Sequence, residues 1–285
     1  MSSITLEHVS YAYSPNTPLE KTALRDISVT VSDGKLTGLI GHTGSGKSTF
    51  AQLLNGLLRP TAGRVLLDGE DIWAEPKKIS RIRHRVGMVF QYPEHQLFEE
   101  TVYKDIAYGP RNMGKKEDEL DKLVRSAAAF VGLNEDVLDK SPFELSGGQQ
   151  RRVAIAGVFA MDPDVLVLDE PAAGLDPKGR DQILGKIREY QKKRNKTVIL
   201  ISHSMEDMAR YSDELIVLKD AALLTHGNVE EVFRQAEIIA SAGLRLPQVT
   251  RVMLSLMQNG VAVDTARYTV DAAVDYFLDR RRTEC

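Results

Sequence analysis

The residues from Gly41 to Ser48 have the types and spacing needed to hold a chain of phosphates. They fit the pattern of a glycine, four variable residues, and then glycine, lysine and serine. Glycines allow the backbone to curl with its N–H groups inward, and a helix that starts here adds the positive end of its dipole. Lys47 can reach the two outer phosphates, the Ser48 hydroxyl can bind Mg²⁺, and Thr49 can donate to a phosphate nearer the sugar. The residues predicted to bind the nucleotide are Gly41, Gly44, Ser45, Gly46, Lys47, Ser48 and Thr49.

Two adjacent carboxylates, Asp169 and Glu170, follow four apolar residues that are typical of a buried strand. The carboxyl end of such a strand is where open α/β folds place their ligands. Asp169 is suited to help hold Mg²⁺, and Glu170 to orient the water that attacks the outermost phosphate. A second interpretation makes Glu170 an acid at a helix start before Pro171, favoured by the helix dipole. We favour the first, because paired acids at the end of a buried strand are costly unless a cation compensates them.

A second glycine-containing segment, Leu145 to Gln149, precedes a run that is suited to a helix. Backbone N–H groups at the start of such a helix can bind an anion. One chain has little use for two anion-binding helix starts unless they face one nucleotide across a dimer. In isolation the segment could equally be a serine N-cap with flexible glycines, but its place between the loop and the carboxylates favours the nucleotide. The residues concerned are Ser146, Gly147, Gly148 and Gln149.

The elements that must position these residues follow from the hydrophobic pattern. Residues 4–9 and 27–31 alternate apolar and polar side chains, as half-solvated antiparallel strands do. Residues 165–168 and 198–201 are continuously apolar, which is typical of parallel strands covered by helices on both faces. The phosphate loop lies between a strand over 36–40 and a helix over 48–57. The fold class predicted is therefore α/β, with a mostly parallel P-loop sheet and antiparallel strands near the N-terminus.

Domain boundaries are indicated by changes in this pattern. Between about 92 and 160 strand signals stop and helical patterns take over, which predicts an inserted helical subdomain. We expect a nucleotide-binding domain over 1–228 and a helical extension over 229–285 that serves dimerisation. The extension has helical patterns over 229–242, 247–258 and 268–282, with turns at Gly243 and Gly260.

Composition limits the function classes. The 285 residues carry a formal net charge of −3 with 27% charged and 42% apolar residues, as in an ordinary globular protein. Such a balance provides no overall basic field for nucleic acid. The only cysteine is Cys285, which excludes an intrachain disulfide. No apolar run approaches the roughly 18 residues that span a bilayer, so we expect any membrane role to be peripheral.

The order of these motifs resembles that of the nucleotide-binding subunit of an ABC transporter, over residues 1 to about 225. The resemblance implies a RecA-like fold, ATP and Mg²⁺ as ligands, and two subunits that bind ATP head to tail. The segment from Ser146 to Gln149 would be the signature, which binds the outer phosphate held by the partner's P-loop. Lys47 and Glu170 would then act in ATP hydrolysis.

The same resemblance assigns roles to single residues. Gln91 would sense Mg²⁺ and the attacking water, and Asp176 would belong to the loop that crosses the dimer. His203 would be the switch histidine that contacts the outer phosphate, and Tyr13 the aromatic residue that stacks on adenine. Tyr11 has the same strand parity as Tyr13, so the choice between these two tyrosines stays open.

A narrower resemblance is carried by residues 90–102, 105–110 and 171–180, which are similar to ATPases of energy-coupling-factor importers, most of all to the second of their two ATPases. It implies a paired ATPase, a transmembrane coupling protein and substrate-capture proteins, at the cytoplasmic face of the cell membrane. The cargo would be a vitamin or a transition-metal ion. An acidic groove would receive arginine-bearing coupling helices, for which the candidates are Glu94, Glu99 and Glu100. Ala172 departs from the threonine expected at its position.

Two alternatives are compatible with the same motifs. One is the ATPase of another kind of ABC importer, and the other is an ABC ATPase that acts on ribosomes or DNA. The second is disfavoured, because the chain has one cassette and neither a charged linker nor long heptad arms. The sequence does not identify the cargo. It also leaves open whether the partner is a second copy of this chain or a paralogue.

Overall fold

A six-stranded, mostly parallel sheet forms the centre of the fold, which a computed structural model describes over residues 2–283. Five neighbouring strands are parallel, and the edge strand is antiparallel to its neighbour. In sheet order they are β10 (Ala222–Asn228), β9 (Glu214–Lys219), β3 (Leu36–Gly41), β8 (Thr197–Ile201), β7 (Val165–Asp169) and β6 (Val86–Val89). Alternate residues of β7 and β8 pack into two separate core clusters. The central strands are therefore covered on both faces, as predicted, but one of these faces is covered by an antiparallel sheet as well as by a helix.

A smaller antiparallel sheet covers one face of the central sheet. Its order is β2 (Lys21–Val31), β1 (Ile4–Tyr13), β4 (Ala62–Leu67) and β5 (Glu70–Asp71). The two predicted N-terminal strands are confirmed as an antiparallel pair, and both are longer than their alternating cores. Helix α1 (Lys47–Leu54) packs between the two sheets through Phe50 and Leu53. This helix ends three residues before the predicted Leu57, because Gly56 turns the backbone into the left-handed region at φ 67°.

The chain between β6 and β7 is helical. Its helices are α3 (Val102–Asn112), α4 (Glu117–Val131) and α5 (Gly147–Ala160), with 3₁₀ turns at Pro93–Gln96, Glu135–Val137 and Pro142–Glu144. Three acids in the first turn of α4 favour the helix dipole, and Gly132 ends it in the left-handed region. The helical character predicted for 92–160 is confirmed, and the subdomain boundary stays a prediction. Outside this segment, a 3₁₀ turn at Pro76–Lys78 and helix α2 (Ile79–Arg85) precede β6, and helices α6 (Pro177–Arg194) and α7 (Met205–Tyr211) follow β7.

The C-terminal extension contains α8 (Val229–Arg234), α9 (Ala236–Ser241), α10 (Gln248–Gln258) and α11 (Val270–Thr283). The single helix predicted over 229–242 is wrong, since the chain leaves the helix at Gln235. Phe233 and Ile239 both pack into the core cluster below the sheet. At about 100° per residue, these two side chains would point to different faces of one continuous helix. The predicted turns at Gly243 and Gly260 are confirmed by their positive φ angles.

Nothing among the described helices is both long and apolar enough to cross a bilayer. Cys285 lies outside the described residues.

Candidate functional site

The phosphate loop connects the buried end of β3 with the start of α1. Its conformation requires glycine, because Gly44 and Gly46 have φ angles of 83° and 105°. A side chain at Gly46 would overlap the carbonyl oxygen of Ala23, and one at Gly41 would lie 2.5 Å from that of Leu218. The loop is therefore a tight backbone cradle at a helix start, which suits the close approach of phosphate oxygens.

Lys47 places a buried ammonium group in this cradle. Its Nζ donates to the carbonyl oxygens of Gly41 at 2.8 Å and His42 at 2.9 Å. Burial lowers the pKa of Lys47, and the nearby carboxylates of Glu170 and Asp169 oppose that shift. The chain thus holds a cation where a polyanion would need one.

Ser48 and Asp169 bring two oxygen donors together across the site. The hydroxyl of Ser48 donates to Asp169 Oδ2 at 2.9 Å, although the two residues lie far apart in sequence. Asp169 ends β7 with 6% of its surface exposed, and burial raises the pKa of its carboxyl group. A hydroxyl beside a carboxylate fits the oxygen preference of Mg²⁺.

Glu170 and His203 follow two neighbouring parallel strands, β7 and β8, at the same edge of the sheet. Glu170 has φ 52°, and its N–H donates to the carbonyl of Ile201 at 3.1 Å. Its Oε1 lies 3.4 Å from His203 Nε2. Burial, followed by the neighbouring Asp169 carboxylate, raises the pKa of Glu170 to about 7. Burial and the Lys47 ammonium lower the pKa of His203.

These groups line one cavity of about 380 Å³. Predicted residues that line it are Tyr13, Gly44, Gly46, Lys47, Ser48, Thr49, Gln91, Asp169, Glu170 and His203. Gly41 and Ser45 do not line this cavity, and Ser45 is fully buried. The structure thus brings most of the predicted nucleotide and metal residues together at the carboxyl edge of the sheet.

The structure separates the two tyrosines that the sequence could not distinguish. Tyr13 lines the cavity, is 41% exposed, and contacts Thr49 through its hydroxyl at 3.0 Å. Tyr11 packs against the core between the sheets and supports Tyr13 edge to face, with ring centroids 4.9 Å apart. Only Tyr13 therefore offers a ring to a ligand in this cavity.

The predicted signature residues do not line this cavity. Ser146 caps α5 in a capping box with Gln149, and Gly147 and Gly148 are the first residues of that helix. Asp176 likewise caps α6, its carboxylate accepting from the Gly179 N–H at 2.6 Å. Within one chain these residues begin helices.

Some residues of the site escaped the sequence prediction. The start of β2 also lines the cavity, through Lys21, Thr22 and Ala23. Lys21 pairs with Tyr13 in the β1–β2 register, and Thr22 pairs with Ala12. A signal for them existed in the antiparallel pairing, since a residue that faces Tyr13 across the pair must lie near its ligand.

The acidic groove predicted from Glu94, Glu99 and Glu100 needs correction at its first member. Glu94 does not present a free carboxylate, because Arg151 pairs with it at 2.8 Å and both side chains are largely buried. Glu100 is exposed and pairs with Lys104 on α3. Of the three acids, Glu100 is exposed and Glu99 is half-buried, so these two supply the remaining acidic charge on this surface.

Comparison with known proteins agrees with this geometry. The family model described as ABC transporter matches residues 24–173. The energy-coupling factor transporter ATP-binding protein EcfA2 of Clostridium acetobutylicum is 52% identical over 271 residues, which are 95% of each chain. The chain belongs to the ABC transporter family, among the ATP-binding proteins of energy-coupling factor transporters. The predicted family and fold class are thereby confirmed, and so is its place among ATPase subunits.

Two solved structures of this family have the same fold. CbiO1 of Clostridium perfringens, described as part of the ABC transporter complex CbiONQ, has a TM-score of 0.74 and 40% identity and covers 88% of this chain and 98% of its own. The ATP-binding cassette MJ0796, solved as a dimer with ADP and Pi, has a TM-score of 0.73 and 26% identity and covers 79% of this chain and 98% of its own.

Proposed function

We propose that this chain binds and hydrolyses MgATP in a head-to-tail pair with a second ATP-binding subunit, and that hydrolysis powers an energy-coupling-factor importer. The observation that carries this proposal is the meeting of Lys47, Asp169, Glu170 and His203 in one cavity at the carboxyl edge of the sheet. Phosphoryl transfer to water needs a cation, a pair of oxygen ligands, a carboxylate and an imidazole at one end of a phosphate cradle.

In this proposal the cradle and Lys47 stabilise the charge of the phosphate chain. Glu170 accepts a hydrogen bond from the attacking water and aligns it with the outer phosphate. His203 lies 3.4 Å from that carboxylate and would contact the same phosphate. The ring of Tyr13 supports the base, and Thr49 donates to a phosphate nearer the sugar.

Mg²⁺ fits the residues present, because the Ser48 hydroxyl and the Asp169 carboxylate already lie 2.9 Å apart. These two residues would hold the ion, and Gln91 lines the same cavity. When bound, Mg²⁺ would neutralise negative charge on the phosphate chain. The buried Asp169 would then gain the cation that its position at the strand end calls for.

The second subunit would complete the site with its own signature. Support comes from Gly147 and Gly148, because a side chain built on either would contact nothing within 4 Å. The chain's own packing gives no reason for two glycines in the first turn of α5, where glycine costs helix stability. We infer that they leave room for the nucleotide of the partner, with Asp176 at the same dimer interface.

At the cytoplasmic face of the membrane the chain would act as a peripheral subunit. The name of its EcfA2 relatives supports a transmembrane coupling protein and substrate-capture proteins as partners. Vitamins and transition-metal ions are the cargo classes proposed. Glu99 and Glu100 remain candidates for contact with arginine-bearing coupling helices.

The test is ATP hydrolysis by the complex assembled with its partner ATPase and membrane components. We replace the partner ATPase's own catalytic glutamate, so that only the nucleotide held by this chain is hydrolysed. Glu170→Gln should then lower kcat by at least about 100-fold while ATP binding persists. Glu189→Gln on α6, a half-buried carboxylate that pairs with Lys193 outside the cavity, is the control and should hydrolyse like the wild type. Wild-type turnover in Glu170→Gln would refute the assignment.

A further inference from the structure

A buried ion pair joins the signature helix to the segment after Gln91. Arg151 on α5 is 4% exposed, and its Nε and Nη2 donate to the two carboxylate oxygens of Glu94 at 3.0 and 2.8 Å. Glu94 lies in the 3₁₀ turn Pro93–Gln96. Burial would raise the pKa of Glu94, but the Arg151 guanidinium outweighs that effect and holds it below its usual value. Both oxygens are bound in a planar fork, which fixes orientation as well as distance.

The same guanidinium reaches a third segment. Its Nη1 donates to the carbonyl oxygen of Ala173. Ala173 closes a turn with Glu170, since its N–H donates to the Glu170 carbonyl at 3.1 Å. The turn begins at Glu170 in the left-handed region, a conformation that surrounding contacts must maintain. Arg151 is therefore one residue that contacts both the Gln91 side and the Glu170 side of the site.

The next residue on the same helix shows that these contacts are specific to Arg151. Arg152 is only partly buried, and its Nη1 donates to the carbonyl of Gly132 at 3.3 Å, at the end of α4. It contacts neither Glu94 nor Ala173. Arg152 thus binds only at the end of α4. Arg151, in contrast, connects α5 with the 3₁₀ turn that carries Glu94 and with the turn that carries Ala173.

We propose that Arg151 is a positioning residue that sets both composite ATP sites of the dimer through these two contacts. Its pair with Glu94 aligns α5, and with it the signature that serves the partner's nucleotide. Its bond to Ala173 fixes the turn that carries Glu170, which serves this chain's own nucleotide. This role rests on the proposed function, because it requires a signature that acts across a dimer.

The test separates the two sites in the assembled complex. Glu170→Gln in this chain leaves turnover at the partner's nucleotide, which this chain serves only with its signature. Replacing the partner ATPase's catalytic glutamate instead leaves turnover at the nucleotide of this chain. Arg151→Lys is then introduced into each of these two complexes, which serve as backgrounds. Lysine keeps the positive charge but loses the two-pronged hydrogen bonding of the guanidinium. Arg152→Lys is the matched control. ATP affinity and thermal melting are measured on the same proteins.

We expect Arg151→Lys to lower kcat by at least about 10-fold in both backgrounds, with KM and ATP affinity within about 2-fold of wild type, and Arg152→Lys to change nothing. Wild-type kcat in either background, or a loss explained by a smaller folded fraction, would overturn the role. Should Arg151→Lys fail to fold, Glu94→Gln decides, since it must lower kcat at the partner's nucleotide.

The exchanged pair Glu94→Arg with Arg151→Glu distinguishes the two contacts. It restores the link between α5 and the 3₁₀ turn, but a carboxylate cannot donate to the Ala173 carbonyl. We expect recovery of at least about 3-fold over Glu94→Arg alone at the partner's nucleotide. At the nucleotide of this chain we expect a loss of at least about 10-fold relative to wild type, because the bond to Ala173 is missing. No recovery at the partner's nucleotide, or wild-type turnover at the nucleotide of this chain, contradicts the assignment. Absence of turnover in the wild-type complex would instead refute the proposed function.

Discussion

The two glycine segments of this chain differ in what surrounds them. In the phosphate loop, Gly46 has a φ of 105°, and a side chain on it would overlap the backbone of Ala23. At the start of α5, a side chain on Gly147 or Gly148 would contact nothing within 4 Å, and both residues are helical. The first segment needs its glycines to fold, whereas the second has no such need within this chain.

The difference shows that the phosphate loop is a complete half-site within one chain. The signature segment, in contrast, lies at the surface, where only a partner chain could use it. Lys47, Asp169 and Glu170 are largely buried, and each is held by neighbours within this chain: the Gly41 and His42 carbonyls, Ser48 and His203. Ser146 and Gln149 satisfy each other in a capping box and are otherwise at the surface. Substitutions should therefore separate into those that damage an isolated chain and those that damage only the assembled pair.

The largest expected effect on the isolated chain is at Lys47. Lys47→Ala should weaken ATP binding by about 4 kcal/mol, close to a thousand-fold, because it removes about two charge-assisted hydrogen bonds to phosphate. Titration of the isolated chain with a fluorescent ATP analogue measures this loss. Lys193→Ala, which removes an exposed lysine of α6, serves as the control. Affinity within about 3-fold of wild type would contradict a preformed phosphate cradle.

A second effect is on stability and depends on pH. The pKa of Glu170 is raised from 4.5 to about 7, so the folded chain holds a proton that the unfolded chain releases between these values. Its ionisation therefore destabilises the fold as pH rises through that window. Glu170→Gln should stabilise the chain, measured in EDTA without nucleotide, by about 2 kcal/mol at pH 8 after allowance for solvent screening. The gain should vanish near pH 4.5.

Urea unfolding at both pH values checks this prediction. Glu144→Gln replaces an exposed carboxylate just before the signature and should leave the free energy of unfolding unchanged at either pH. A pH-independent gain in Glu170→Gln would mean that the burial of its charge is not the cause.

The third effect distinguishes the tyrosines. Tyr13→Ala should weaken ATP binding to the isolated chain by about 1 to 2 kcal/mol, or roughly 10-fold, as expected for the loss of one base stacked on an aromatic ring. Tyr11→Ala should instead lower the melting temperature, because its ring packs against the core. The same titration and a thermal melt measure both variants. The reverse pattern would assign adenine to Tyr11.

The smallest effect is a gain in stability at the signature. Gly148→Ala should raise the free energy of unfolding of the isolated chain by up to about 1 kcal/mol, since alanine is the better helix former and meets no neighbour. Gly46→Ala, at a left-handed position, should lower it. Urea unfolding of both variants tests the comparison. Destabilisation by Gly148→Ala would show that the chain itself requires this glycine.

Much of the cavity was predictable, because its residues come from motifs that are continuous in sequence and end on parallel strands. The phosphate loop, Asp169 with Glu170, and His203 follow β3, β7 and β8, which the apolar runs identify. Parallel neighbours end at the same sheet edge, so the sequence also indicates which of these residues meet.

Residues that depend on packing between distant segments were not predictable. Nothing in the pattern around Glu94 indicates that α5 supplies Arg151 to neutralise it, and the acid therefore looked available to a partner. The break at Gln235 depends on two apolar side chains that must reach the same core. The choice between Tyr11 and Tyr13 depends on where α1 places Thr49.

The most direct test of a site shared between two chains places two substitutions in cis or in trans. Lys47→Ala and Gly148→Asp in this chain together should damage both ATP sites and abolish nucleotide trapping by vanadate in the assembled complex. In the second arrangement, Lys47→Ala in this chain is combined with a signature substitution in the partner ATPase. Both changes then fall on the site that holds the nucleotide of this chain, and the other site stays intact. We predict one trapped nucleotide per complex in the second arrangement and none in the first. Equal trapping in the two arrangements would contradict the shared site.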